Sequence, residues 1–164
     1  SPAGKPAMIE PVRFEDGRPM LLAGPRQKNR FAEMETAVPK QWQELERLGT
    51  LPGQVGTTRY GAIAGTDMDA GIVEYMAAVE VEDLAAVPEG VGRMRVSAQR
   101  YAIFEHHGHI SGLRKTWDSI WGAWVPQAEF KPGRYTDFER YDERFDPRTG
   151  SGVIEIWFPI EDKE

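Results

Sequence analysis

The stretch YAIFEHHGHISGLRKTWDSIWGAW, residues 101–124, contains a strand pattern that turns directly into a helix pattern. Apolar residues up to Phe104 are typical of a buried strand, and Gly108 permits a turn. Beyond the turn, apolar side chains recur at helical spacing on one face: Leu113, Trp117, Ile120, Trp121 and Trp124. We therefore predict a strand, a tight corner and a helix. Trp117 and Trp121 are expected to pack in the core, as is Trp42 in an earlier helix pattern, and Trp124 to lie at the edge of a groove.

All three histidines, His106, His107 and His109, stand in this corner. Adjacent side chains of a strand point to opposite faces, so His106 and His107 cannot both reach one metal ion. His107 and His109 can share a face, but two imidazoles are few ligands for tight metal binding. We predict no metal site, and one histidine that hydrogen-bonds a helix end.

The same order of elements occurs twice along the chain. After the helix, residues 135–145 and 152–161 have strand patterns; earlier, a strand at 18–25 precedes a helix at 31–48 and two strands at 55–65 and 71–82. TTRYG at 57–61 resembles FERYD at 138–142. The predicted fold is α+β: two pseudo-twofold strand-helix-strand-strand repeats, about 18–82 and 92–161, with two main helices and an antiparallel sheet groove.

Length and composition limit the function classes. The chain has 164 residues, so we predict one domain over 9–164 and a disordered or non-native lead over 1–8. A net charge of −6 argues against direct nucleic-acid binding, and the absence of cysteine excludes thiolate catalysis. No segment has the length of a membrane span or the pattern of a signal peptide. We expect a cytoplasmic protein without a cofactor.

Two neighbouring strands carry the clearest functional pattern. Alternation places Glu139 and Tyr141 on one side of the first strand, and Glu155 and Trp157 on one side of the second. If these sides meet, carboxylates and aromatic rings line one concave surface, which suits a flat organic cation. The alternative is that both glutamates are solvated on the outer face of the sheet.

Residues 101–130 and 137–160 resemble the GyrI-like domain, the effector-binding domain of AraC-type and MerR-type transcription regulators. The resemblance extends over about 10–161 and implies the same duplicated fold. It also implies that acidic residues matching Glu139 and Glu155 receive cationic or amphipathic ligands. Trp157 stands where the family often has tyrosine, so a hydroxyl is replaced by an indole nitrogen. The internal repeat adds second-rank candidates by correspondence: Tyr60 with Tyr141, and Glu74 and Met76 with Glu155 and Trp157.

Three functions follow from this resemblance. The first is a stand-alone small-molecule binding module for hydrophobic, often cationic aromatic ligands, since the repeats leave no room for a helix-turn-helix segment. The second is a hydrolase of cyclopropane-containing, DNA-alkylating natural products, with catalytic candidates Glu139, Tyr141 and Glu155. The third is a protein-interaction module similar to the gyrase inhibitor. The expected partner is a small molecule, and a protein partner is the remaining alternative.

Overall fold

The structure is a computed structural model that describes residues 6–164. Most of the predicted lead, residues 1–5 of 1–8, lies outside the described residues. Pro6 lies against the turn at Gly122, where an added Cβ would come within 2.7 Å of the proline ring. No helix in the described part of the chain has the length and apolar character needed to cross a membrane.

The described chain forms strands connected by short turns and two longer helical segments. The strands are β1 (Arg13–Gly17), β2 (Met20–Gly24), β3 (Arg26–Arg30), β4 (Gln54–Asp67), β5 (Ile72–Val81), β6 (Gly92–Val96), β7 (Gln99–His109), β8 (Phe130–Pro132), β9 (Asp137–Tyr141), β10 (Phe145–Asp146) and β11 (Ser151–Asp162). Single 3₁₀ turns lie at Phe31–Glu33, Leu84–Ala86 and Ile110–Gly112.

The first helix, α1, spans Met34–Leu48 and ends at Gly49, whose φ of 68° lies in the left-handed region that favours glycine. The second, α2, spans Leu113–Ser119. It continues through a π-helical turn at Ile120–Trp124 into a last short turn, α3, at Val125–Gln127.

The sheet has the order β1-β7-β11-β9-β4-β5-β2-β6, with β3, β8 and β10 added beside this path. One unit contains β2, α1, β4 and β5, and the other contains β7, α2, β9 and β11. From the central pair β9 and β4, the order outward is β11 then β7 on one side, and β5 then β2 on the other. This symmetry confirms the predicted pair of strand-helix-strand-strand units and the α+β class.

The sheet curls, which gives it two distinct faces. Met20 and Leu22 of β2 share one apolar cluster with Tyr101 and Ile103 of β7, although four strands separate β2 from β7 in the order. We call this concave side the inner face. The opposite side, the helical face, packs against α1 and α2 through two further apolar clusters. The core therefore lies on both sides of the sheet.

The corner between β7 and α2 is built on His106, which is buried. Its Nε2 donates a hydrogen bond to the backbone carbonyl of His109 at 2.8 Å, which leaves Nδ1 to accept one from the Thr116 hydroxyl at 2.7 Å. Thr116 lies in α2, so the prediction that one histidine bonds a helix end is confirmed. His109 adds a cap, because its Nδ1 accepts a hydrogen bond from the backbone N–H of Ser111.

Candidate functional site

The two predicted acidic residues lie on opposite faces of the sheet. In the antiparallel ladder between β9 and β11, Glu155 pairs with Arg140 and Ile156 pairs with Glu139. Directly paired residues share a face, so Glu139 lies with Ile156 on the helical face and Glu155 lies on the inner face. The expectation that both glutamates line one concave surface is therefore wrong, because the register joins residues of opposite parity.

Glu139 is buried beneath α2, with 6% of its surface exposed. Its Oε1 accepts hydrogen bonds from the Tyr75 hydroxyl at 3.0 Å and the Tyr141 hydroxyl at 2.8 Å. Its Oε2 accepts one from the Trp117 indole N–H at 3.0 Å. All three donors belong to aromatic side chains, and they come from β5, β9 and α2.

The Glu139 carboxylate has no cationic partner in the described chain. Within residues 6–164, no Lys, Arg or His side chain forms an ion pair with it. Burial raises the pKa of Glu139 above its usual value, and the hydrogen bonds from Tyr141, Trp117 and Tyr75 oppose this shift only in part. When Glu139 is ionised, the neutral dipoles around it stabilise its charge incompletely.

Aromatic rings surround this carboxylate. Trp42 of α1 meets Tyr141 edge to face, with ring centroids 5.1 Å apart, and Tyr75 with centroids 6.5 Å apart. Trp117 closes the group from α2. We call this group the carboxylate cage; it consists of Glu139 and the four rings of Trp42, Tyr75, Trp117 and Tyr141.

The sequence predicts only part of this cage. Its strand pattern indicates Glu139 and Tyr141, whereas helical spacing points to core packing for Trp117 and Trp42, and Tyr75 is missed. One signal for Tyr75 is its parity, because it faces away from its neighbours Glu74 and Met76 on the same strand. A second signal is Gly61: a Cβ there would meet the Tyr75 hydroxyl at 2.1 Å, so glycine gives Tyr75 the space to reach Glu139.

A second carboxylate follows the same strand. Asp137 lies two residues before Glu139 and pairs with Ile63 of β4, so it shares the helical face. Burial raises the pKa of Asp137 to about 7, and the neighbouring charge of Glu139 adds to that shift. The helical face therefore carries two carboxyl groups whose protons are held more tightly than usual.

Glu155 has the opposite surroundings. Its carboxylate forms ion pairs with Arg13 at 3.0 Å, Arg140 at 3.4 Å and Arg144 at 3.1 Å, and the Trp157 indole N–H donates to it at 3.0 Å. Burial raises the pKa of Glu155, but the hydrogen bonds from Arg13 and Trp157 and the arginine charges outweigh it and lower the pKa overall. Glu155 is already neutralised by the protein itself.

The remaining predicted residues are dispersed. Tyr60 and Trp157 border a cavity on the inner face, and Met76 is fully buried in the cluster beneath it. Glu74 pairs with Arg26 at 3.1 Å. Trp124 does not border a groove: it is buried against Phe104, with ring centroids 5.0 Å apart.

Two further expectations from the sequence are wrong. Tyr60 does not correspond to Tyr141, because Tyr60 pairs with Arg140 on the inner face whereas Tyr141 pairs with Arg59 on the helical face. Trp121, expected in the core, leaves half of its surface exposed, at 50%, while one side of the ring packs on Phe158.

The fold occurs in solved structures. The structure of SAV2435 bound to tetraphenylphosphonium superposes with a TM-score of 0.71, at 16% identity, over 91% of this chain and 93% of that chain. The EcmrR C-terminal domain superposes with a TM-score of 0.66, at 15% identity, over 92% of this chain and 97% of that chain. These likenesses show a shared fold.

A curated relative extends the comparison to sequence. The transcriptional regulator BrlR of Pseudomonas aeruginosa is 33% identical over 91 residues, which cover 55% of this chain and 34% of BrlR. The alignment thus spans about a third of that regulator's length. The GyrI-like small molecule binding domain model matches residues 10–161, nearly the whole chain. The chain therefore belongs to the GyrI-like small molecule binding domain family.

Proposed function

We propose that this protein binds hydrophobic, cationic aromatic molecules at the carboxylate cage on the helical face. The observation that carries the proposal is the buried Glu139 carboxylate, which has aromatic donors but no counter-ion among the described residues. A bound organic cation would supply the missing positive charge. The rings would add cation–π attraction, about 0.5 to 2 kcal/mol for each well-placed ring.

The proposed entry route for the ligand lies between the two helices. Tyr75 and Tyr141 are buried, whereas Trp42 of α1 and Trp117 of α2 are half-buried, so the indoles are the outer members of the cage. A ligand that approaches between the helices would displace the Trp117 N–H from Glu139 and take its place. α2 is suited to such a shift because it has only seven α-helical residues before the π-helical turn.

Two observations from relatives support this choice of ligand. The SAV2435 structure that shares the fold contains tetraphenylphosphonium, a lipophilic cation with four aromatic rings. BrlR is a transcriptional regulator, and small-molecule binding by such a domain would fit an effector role.

The test compares two molecules that differ in charge but hardly in shape, methyltriphenylphosphonium and triphenylphosphine oxide. Calorimetry, with quenching of tryptophan fluorescence as a second readout, should show that the cation binds at least about tenfold more tightly than the neutral oxide. Equal affinities would reject charge recognition by the cage. Failure of both molecules to bind would remove lipophilic cations of this size from the proposal.

Hydrolysis is a second candidate, favoured by one feature of the cage. A carboxyl group with a raised pKa lies within hydrogen-bond distance of two phenol hydroxyls, Tyr75 and Tyr141. Such a carboxylate can take a proton from water while a phenol donates one to a developing oxyanion. Incubation with a cyclopropane-containing natural product, followed by mass spectrometry, tests this candidate: gain of one water supports hydrolysis, and recovery of the intact compound rejects it.

A further inference from the structure

A cavity of about 420 Å³ opens on the inner face, on the side of the sheet away from the carboxylate cage. Its floor consists of aromatic side chains from four strands: Tyr60, Tyr101, Phe138 and Trp157. Phe138 and Trp157 are stacked, with centroids 5.4 Å apart and planes inclined by 19°. Tyr101 meets Trp157 edge to face at 5.1 Å. The volume falls in the range of small-molecule sites, and the floor is suited to flat rings.

The rim of this cavity carries three guanidinium groups, each of them paired with a carboxylate. Arg13, Arg18 and Arg140 border it, against the two carboxylates of Glu15 and Asp16. The Arg13 guanidinium also lies over the Trp157 ring, 5.8 Å from its centroid. A ring on this floor would therefore have guanidinium groups beside it, which suits an anionic substituent on that ring.

Buried carboxylates behind the rim hold the arginines in place. Arg13 and Arg140 use Nη1 to reach the two oxygens of Glu155, at 3.0 and 3.4 Å. Arg18 uses both terminal nitrogens on Glu80, at 2.6 and 2.8 Å. Arg13 and Arg140 thus converge on one carboxylate, and within residues 6–164 the Nη2 of Arg13 donates no hydrogen bond. Two fixed guanidinium groups, one of them with a spare donor, form a preorganised site for an acceptor.

We propose that this cavity is a second ligand site, which takes flat aromatic carboxylates of two or three rings. The rings pack against the partly exposed Trp157, which Phe138 supports from beneath, and the carboxylate accepts hydrogen bonds from Arg13 and Arg140. The site is separate from the carboxylate cage, since Phe138 and Glu139 are adjacent on β9 and point to opposite faces. One sheet thus offers a site for organic cations on one side and a site for organic anions on the other.

The experiment titrates the full chain with naphthalene-2-carboxylate and with its neutral analogue naphthalene-2-carboxamide, by calorimetry and ligand-observed NMR. The carboxylate should bind at least about tenfold more tightly than the amide. Arg13→Met and Arg140→Met should each weaken carboxylate binding about tenfold or more, because each removes one charged donor. Arg148→Met is the matched control for loss of positive charge, since Arg148 lies on an exposed turn and does not border the cavity. It should change the affinity less than about twofold.

The outcomes separate the proposal from its alternatives. Equal binding of acid and amide, or full affinity in both rim variants, overturns it. Displacement of the carboxylate by methyltriphenylphosphonium also overturns it, because the two ligands would then share one site. If Arg140→Met does not fold, Arg13→Met decides alone, since Arg13 lies on the edge strand β1 and its loss leaves Arg140 and Arg144 on Glu155.

Discussion

Glu139 and Glu155 stand on adjacent strands with their carboxylates on opposite faces of the same sheet. Three arginines neutralise Glu155, whereas aromatic hydrogen-bond donors surround Glu139 without a cation in the described chain. The pKa of Glu139 is accordingly raised by burial, and that of Glu155 is lowered by its partners against the effect of burial. The same residue type therefore has two different surroundings: Glu139 lacks a counter-ion among the described residues, and Glu155 holds three arginines.

This difference predicts unequal effects of two matched variants on cation binding. Glu139→Gln should weaken binding of methyltriphenylphosphonium by about 1 to 3 kcal/mol, because it removes the charge but keeps the shape. Glu155→Gln should leave that affinity within about twofold, since Glu155 faces the other side of the sheet. Calorimetry on both variants, after circular dichroism has shown that each is folded, gives the comparison. The reverse pattern would place the cation on the inner face.

Cation binding should also weaken on acidification, starting above the pH at which an ordinary glutamate protonates. Only the ionised form of Glu139 attracts a cation, and its pKa in the folded protein is raised, so protonation competes at higher pH. Asp137 has a pKa of about 7, so its protonation lowers the affinity further near neutral pH if its side chain also faces the ligand. Titrations between about pH 8 and 5 measure the slope, whose limit is about tenfold in affinity per pH unit and per group.

Two variants separate the contributions to that slope. Asp137→Asn should remove the loss of affinity near pH 7 and leave the loss of affinity that protonation of Glu139 causes. Glu139→Gln should abolish most of the pH dependence that then remains. A pH profile that neither variant alters would show that these carboxyl groups do not contact the cation.

The arginine cluster around Glu155 predicts a distinct pH dependence of stability. Because the pKa of Glu155 is lower in the folded protein than its usual 4.5, its stabilising effect is present above that value and is lost as pH falls through the folded pKa. Glu155→Gln should lower the free energy of unfolding by about 2 to 4 kcal/mol at pH 7, since three guanidinium groups lose their shared partner.

The difference in stability between the native chain and Glu155→Gln should narrow steadily below about pH 4.5. Urea denaturation followed by fluorescence from pH 7 to 3 tests this. Glu161→Gln on the same strand is the matched control: Glu161 pairs with the exposed Arg134, so its loss should lower the free energy of unfolding far less than the loss of Glu155. A difference in the free energy of unfolding that stays constant with pH would mean that the charge of Glu155 does not stabilise the fold.

The duplicated strand-helix-strand-strand order could be predicted from local patterns, because apolar spacing and turn residues report directly on strands and helices. The additional strands β1, β3 and β8 lie outside the predicted ones. The register in which the strands pair could not be predicted in this way. Glu139 and Glu155 each have the expected parity within their own strand, but the register that pairs Glu155 with Arg140 depends on contacts between strands. Likewise, the apparent match of Tyr60 to Tyr141 ignores that residues one position apart in register face opposite sides. Trp117 shows a similar limit, since helical spacing indicates the buried side of a helix but not which polar atom an indole reaches.

Gly61 provides the space for the Tyr75–Glu139 hydrogen bond. In Gly61→Ala, the new methyl would lie 2.1 Å from the Tyr75 hydroxyl and 2.6 Å from Glu139 Oε1, so Tyr75 must leave the carboxylate. The variant should lose about 1 to 3 kcal/mol of stability, and its affinity for methyltriphenylphosphonium should change. Gly65→Ala on the same strand is the matched control, because nothing lies within 4 Å of its added methyl and its stability should change by about 0.5 kcal/mol or less.

Introducing Tyr75→Phe removes the nearest obstacle, so Gly61→Ala should lower the stability less in that background than in the native chain. This coupling is measured by thermal and urea denaturation of four variants: Gly61→Ala, Gly65→Ala, Tyr75→Phe and the Gly61→Ala/Tyr75→Phe double variant. If Gly61→Ala lowers the free energy of unfolding equally in both backgrounds, Tyr75 does not lie over Gly61.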